Sequence, residues 1–270
     1  MRKKHILKEL LSFIRIENGL FTGGIAVSGY LVFNRLDLIV LPLLMAMFLG
    51  TSASYAYNYL KDRKEDLVNK KRLNRFVLEE RQGKVIVVSF FFLGVVLSLS
   101  FYFFSFMTYL FLIMISVLYS GLIRIKERFL AKNFNTGLGI SLSFMVGAMA
   151  NGFFDFAMLA YAGIVFMLGF SANVLGDMRG LEGDRSIGML TLPMFLGPEK
   201  TKLLIYSIIS FLSLSVFLLD CLAFYPLIPF MIISIFLLAK GRMRGVRVSM
   251  LSSFAVLPVL LIMFNLIGGV

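Results

Sequence analysis

Asn58-Tyr59-Leu60-Lys61-Asp62-Arg63-Lys64-Glu65-Asp66 closes an apolar segment covering residues 38–60, and this burst of charge decides how the chain is read. Asn58, Asp62 and Asp66 recur every fourth residue. If the apolar helix continues through them they share one face, since four residues are slightly more than one turn. The result is a ladder of oxygen-bearing side chains at the mouth of a membrane helix.

The surrounding composition supplies the membrane. Apolar residues make up 59% of the 270-residue chain, aromatics 14%, and the mean hydropathy is +0.89, too apolar for a soluble domain. Apolar runs of roughly bilayer length, about 20 residues, fall at 17–34, 38–60, 84–104, 107–123, 135–152, 156–176, 203–220, 222–239 and 248–268. The expected architecture is an all-α, polytopic bundle of about nine transmembrane helices, forming one domain over residues 1–270 with two related halves at 1–130 and 131–270. Before the first span, Ile6, Leu7, Leu10, Leu11, Phe13 and Ile14 form the apolar side of an interfacial helix, and the charges among them argue against a cleavable signal.

The net charge of +12 raises nucleic acid as a partner, but its placement follows topology instead. The basic residues gather in the N-terminal tail and at 61–84, 124–132, 179–202 and 240–247, and Arg35 alone lies on the other side. The positive-inside rule then puts the N-terminus and the acidic loops in the cytoplasm and the C-terminus outside. These charges orient the protein and meet anionic lipid heads; no nucleic-acid site is implied. With one histidine, His5, in the tail, and one cysteine, Cys221, in an apolar stretch, chemistry must run on carboxylates, amides, phenols and bound metal.

A second stretch echoes the first. Asn173-Val174-Leu175-Gly176-Asp177 repeats the Asn-x3-Asp step, and Asp184 follows two turns later, with Gly180 and Gly183 between. One such motif is explained equally well by acids balancing basic loops, with Lys61–Glu65 and Asp66–Lys70 as ordinary helix ion pairs. Two in matching positions, at the ends of spans 2 and 6, point to function, because ionisable groups facing a bundle interior are expensive. Facing carboxylate ladders suit magnesium, which takes one or two carboxylates plus phosphate oxygens and water. The combination reads as a diphosphate clamp, with Lys61, Lys70, Lys71, Arg72, Arg75, Arg179 and Arg185 as further anion contacts.

At this point the chain resembles the UbiA superfamily of intramembrane prenyltransferases over nearly its whole length. The first motif, Asn-Asp-x2-Asp-x3-Asp in that family, is carried by Asn58, Asp62 and Asp66; Asn69-Lys70 and Asn74-Arg75 look like its downstream pairs, and Arg15 and Asn18 match an Arg-x2-Asn start to span 1. The second, Lys-Asp-x2-Asp-x2-Gly-Asp, falls on Asp177, Gly183 and Asp184, and Ser143 and Gly147 match a Ser/Thr-x3-Gly pattern in span 5. Three positions depart: Tyr59 and Gly180 stand where the family has acids, and Gly176 where it has lysine.

The resemblance implies magnesium-dependent transfer of an isoprenyl chain from a polyprenyl diphosphate, such as geranylgeranyl diphosphate. The acceptor is aromatic or of the glycerol-phosphate type, in quinone or membrane-lipid synthesis. Asn58, Asp62, Asp66, Asn173, Asp177 and Asp184 would hold two Mg2+ ions bridged by diphosphate, with Glu65 and Glu182 as replacements for the missing acids. Asp62, Asp66, Asp177 and Asp184 are the candidate catalytic carboxylates. Arg15, Asn18, Lys70, Arg72, Arg75, Tyr119 and Arg185 are the candidate substrate contacts. Tyr55, Tyr119, Phe144 and Phe170 are candidates for steadying a carbocation, since aromatic faces attract positive charge. A terpene cyclase of the same fold, a catalytically reduced homologue and a transporter are the competing readings; a transporter predicts polar residues on both faces, whereas here they cluster on one.

Overall fold

The computed structural model describes residues 2–68, 72–121, 130–152, 154–186, 190–218 and 222–267. Every regular element among them is helical: α1 Arg2–Phe13, α2 Ile16–Phe33, α3 Val40–Val68, α4 Arg75–Leu78, α5 Glu80–Ser98, α6 Phe103–Ser120, α7 Ala131–Ala148, α8 Phe156–Ser186, α9 Leu192–Leu196, α10 Pro198–Leu218, α11 Ile228–Ala239 and α12 Met243–Leu266. A 3₁₀ segment, Leu222–Leu227, leads into α11 and with it makes one apolar span, Leu222–Ala239.

Seven helices among the described residues are long and apolar enough to cross a membrane, and α1 with α2, bent by 47°, counts as an eighth. α7 is the exception to the nine expected spans. It is 18 residues long but opens on Lys132, Asn133, Asn135 and Thr136, which lower its hydropathy. Those polar residues face the interior site described below.

The bundle is a ring in which α2 packs against α3 and α7, α7 against α8, and α12 against both α2 and α8. α5 packs on α3 from outside, and α6 spans α3 and α7. Of the seven spans, α3 and α8 are the most enclosed, 44% and 56% of their windows being buried, against 17% for α6. The two motif-bearing helices thus lead these seven in enclosure. Both continue unbroken past their motifs, α3 to Val68 and α8 through Gly180 and Gly183 to Ser186, so the polar residues extend an already supported helix.

With lipid on the outside, helices here associate through close packing of small residues. Gly147 of α7 rests on the backbone of Ala26 in α2, and Gly29 of α2 rests reciprocally on the backbone of Phe144 in α7. The core around this contact is Tyr30, Leu43, Met47, Phe144, Leu168, Leu175 and Phe254, all at most 1% exposed. A second cluster, Phe13, Ile14, Phe76, Val77 and Val87, fastens α1 and α4 to α3 and α5.

Between α1 and α2 the chain turns at Arg15, whose φ of 45° is left-handed. A non-glycine residue there costs about 1 kcal/mol. The side chain gives a return: its Nε donates to the Tyr59 hydroxyl at 3.0 Å, and its guanidinium lies over the Tyr55 and Tyr59 rings at 5.1 and 5.0 Å.

Candidate active site

The inner ends of α2, α3, α6, α7, α8 and α12 enclose a cavity of about 620 Å³, within the range of small-molecule sites. Asn18, Asn58, Asn173, Tyr55 and Tyr119 line it, together with apolar Phe21, Met47, Leu112, Ile113, Ile140 and Leu251.

On α3, Asn58 and Asp62 are one turn apart, and the Asn58 amide nitrogen donates to Asp62 Oδ2 at 3.0 Å. This bond turns the Asn58 carbonyl oxygen into the interior, where it is buried with no hydrogen-bond partner. Asp66 follows one turn later on the same helix, half-buried. On α8, Asp177 is 4% exposed, and Lys132 of α7 donates to its Oδ1 at 2.6 Å. Its Oδ2 is buried without a partner. Asn173, one turn earlier, donates to Asn133 of α7. Asp184 continues α8, its side chain lying outside those described.

Each Asn-x3-Asp motif thus presents one buried oxygen that no protein group satisfies, and Ser52 and Ser171, earlier on the same helices, each add a buried unpartnered hydroxyl; such atoms are costly unless something else binds there. The described residues gather no group of three His, Cys, Asp or Glu side chains able to hold a metal alone. Magnesium takes one or two carboxylates and completes its shell with substrate phosphate and water. Asn58, Asp62 and Asp177 fit the ion by donor type, and Asn58 and Asp177 also by an unsatisfied oxygen.

The remaining candidates separate into groups. Arg15 sits beside the cavity and Asn18 and Tyr119 in its wall. Arg72 pairs with Glu9 at 3.0 Å with its side chain 80% exposed, and Arg75 pairs with Glu79 at 2.8 Å. Glu9 also accepts from the Arg75 backbone, and its own carbonyl accepts from Asn74. These bonds tie α1 to the connection after α3. Arg185 is exposed at the end of α8, and Lys70 lies outside the described residues. Phe144 and Phe170 are packing residues, stacked on Tyr161 and Phe166 respectively. Tyr59, replacing an acid, is held by Arg15 through its hydroxyl.

Two basic residues in the site were read from the sequence as topological charge alone. Lys132 belongs to a polar run at the start of an apolar span, which was the available signal. Arg247 was placed in a loop before residue 248, but α12 begins at Met243 and puts it in the cavity wall.

The UbiA prenyltransferase family model matches residues 20–264. The chain belongs to the UbiA prenyltransferase family. It is accordingly an intramembrane prenyltransferase and a multi-pass membrane protein. Among curated protein sequences, none matches this chain. The fold is similar to that of a UbiA homolog from Archaeoglobus fulgidus bound to GPP and Mg2+, at 19% identity over 97% of this chain and 99% of that one, with a TM-score of 0.78. A UbiA homolog from Aeropyrum pernix K1 matches at 16% identity over 93% and 98%, with a TM-score of 0.75. A structure described under the biosynthesis of digeranylgeranylglyceryl phosphate synthase in membranes matches at 19% over 98% of each chain, with a TM-score of 0.69.

Proposed function

We propose that this UbiA family member transfers an isoprenyl chain from a polyprenyl diphosphate, geranylgeranyl diphosphate being the test case, to a glycerol-phosphate-type or aromatic acceptor of membrane-lipid or quinone synthesis. The observation carrying this reading is the pair of unsatisfied buried oxygens, Asn58 Oδ1 and Asp177 Oδ2, at the inner ends of α3 and α8. Family relatives of this fold hold GPP or DMAPP with Mg2+, which supports the donor class. The relative described under digeranylgeranylglyceryl phosphate synthase supports the glycerol-phosphate acceptor.

In this reading Asn58, Asp62 and Asp66 on one side, and Asn173, Asp177 and Asp184 on the other, are the ligands for two Mg2+ ions, the motifs being equivalents in two related halves of one domain. Bound magnesium would neutralise charge on the leaving diphosphate. The allylic C1–O bond breaks with its electron pair going to diphosphate. The acceptor's nucleophilic atom forms the new bond to C1 and gives its proton to a ladder carboxylate, Asp66 or Asp184. Apolar walls from Phe21, Met47, Leu112 and Ile140 hold the chain and keep water from the electron-poor carbon, while Tyr55 and Tyr119 offer their ring faces. Arg15 and Asn18 close the α2 side. Arg72, Arg75 and Arg185, with Lys70 as a further candidate, supply the positive charge that draws the anionic headgroup in. The density of basic residues at this end supports a cytoplasmic site and N-terminus, with the C-terminus outside.

The test is purified protein with Mg2+, radiolabelled geranylgeranyl diphosphate and a panel of glycerol-phosphate and aromatic acceptors. A prenylated, magnesium-dependent product is expected. Diphosphate release with a cyclised hydrocarbon and no acceptor adduct would give the site to a cyclase, and neither release nor donor binding would end the enzyme reading.

A further inference from the structure

Position 176, where the family pattern has lysine, is glycine, and the space above it is filled from another helix. A Cβ built on Gly176 would meet Arg247 Cζ at 3.5 Å, Nη1 at 3.6 Å and Nη2 at 3.8 Å. Three guanidinium atoms at nearly equal distance mean that the planar group lies face-on against α8 at this residue. Arg247 comes from the second turn of α12, lines the cavity with Asn58 and Asn173, and has its Nε buried without a hydrogen-bond partner. Among the described residues it makes no ion pair. A half-buried arginine whose Nε is out of reach of water and unsatisfied inside a membrane bundle is expensive unless an anion completes it. Its planar fork of donors matches phosphate oxygens better than a lysine ammonium does.

We propose that Arg247 is a diphosphate-binding residue, supplying from α12 the positive charge that the family pattern places at position 176. The exchange is reciprocal. A Cβ at 176 would already touch the guanidinium at ordinary contact distance, so a lysine there and Arg247 compete for the same space beside α8. The neighbouring Lys132 is committed to Asp177 Oδ1, which leaves Arg247 as the described cation in the cavity wall with donors to spare. This inference rests on the prenyl-transfer reading, and its test separates the two.

The experiment titrates inorganic diphosphate with Mg2+ into the detergent-purified full chain, comparing wild type, Arg247→Ala, Arg247→Met and the double variant Gly176→Lys/Arg247→Ala. Size-exclusion profiles confirm folding, and Arg247→Met retains the apolar stem should the alanine variant collapse. Wild type binds; both single variants bind roughly 10- to 100-fold more weakly, the loss of a charge-assisted contact; the double variant recovers to within a few-fold of wild type. Single variants binding as tightly as wild type, or a double variant no better than Arg247→Ala, would each overturn the proposal. Wild type that binds no diphosphate would instead overturn the donor reading.

Discussion

Replacing Gly147 by alanine should separate α2 from α7 and damage the site from a distance. A Cβ at 147 would overlap the Ala26 carbonyl oxygen, with the Ala26 carbonyl carbon at 2.6 Å and Tyr30 N at 3.0 Å. Its neighbours are backbone, so no side chain can swing aside. Restoring ordinary carbon contact requires the helices to part by about 1 Å. Overpacking of this kind costs about 1–3 kcal/mol, and the absence of an adjustable neighbour puts Gly147→Ala at the upper end. The shift reaches the chemistry because α2 carries Asn18 and α7 carries Lys132, the partner of Asp177. A displacement of about 1 Å at a reacting group can lower the rate roughly 100-fold. The assay is thermal unfolding in detergent beside single-turnover product formation. Gly163→Ala is the control, on the exposed face of α8 with nothing within 4 Å of its added methyl, where alanine should gain about 0.5–1 kcal/mol. Equal melting temperatures and rates for the two variants would refute the close-packing argument.

Three further outcomes follow from individual contacts. Lys132→Met strips the ammonium from a nearly buried Asp177 carboxylate; metal-free stability should fall by about 3 kcal/mol, and Mg2+ with diphosphate should restore more of it than they add to wild type. Equal losses with and without ligand would remove Asp177 from the metal site. Tyr109→Phe removes the hydroxyl that donates to the Ala46 carbonyl at 2.9 Å and should cost about 1 kcal/mol in thermal unfolding, an unchanged melting curve arguing that the bond is not formed. Glu9→Gln weakens the tie from α1 to Arg72 and the Arg75 backbone, so limited proteolysis should cut the connection between α3 and α5 faster; an unchanged rate would show that the apolar cluster of Phe13 and Phe76 suffices.

What the sequence revealed and concealed follows from how each signal is encoded. The ladders of α3 and α8 were legible because Asn-x3-Asp is local, and a helix long enough to span brings the pattern onto one face without help from elsewhere. The close contact of Gly29 and Gly147 was not, because nothing local says which helix a glycine meets. Arg247 shows a different failure. Counted among the basic residues of a connecting loop, it becomes a cavity residue once α12 begins four residues before it. Arg72 and Arg75 drew attention as anion contacts by charge and proximity, whereas the fold gives them Glu9 and Glu79 as partners from elements that lie far away or one turn on. Tyr59 is the instructive substitution: the acid is gone, but Arg15 still reaches across to position 59 and finds a hydroxyl.

The central claim is that the inner ends of α3 and α8 bind an allylic diphosphate through magnesium. Isothermal titration of geranylgeranyl diphosphate into wild type, Asp62→Ala and Asp177→Ala, each with Mg2+ and with EDTA, tests it directly. Wild type should bind only with Mg2+, and both variants, folded by size exclusion, should lose that binding. Magnesium-independent binding, or binding unchanged in both variants, would contradict the account.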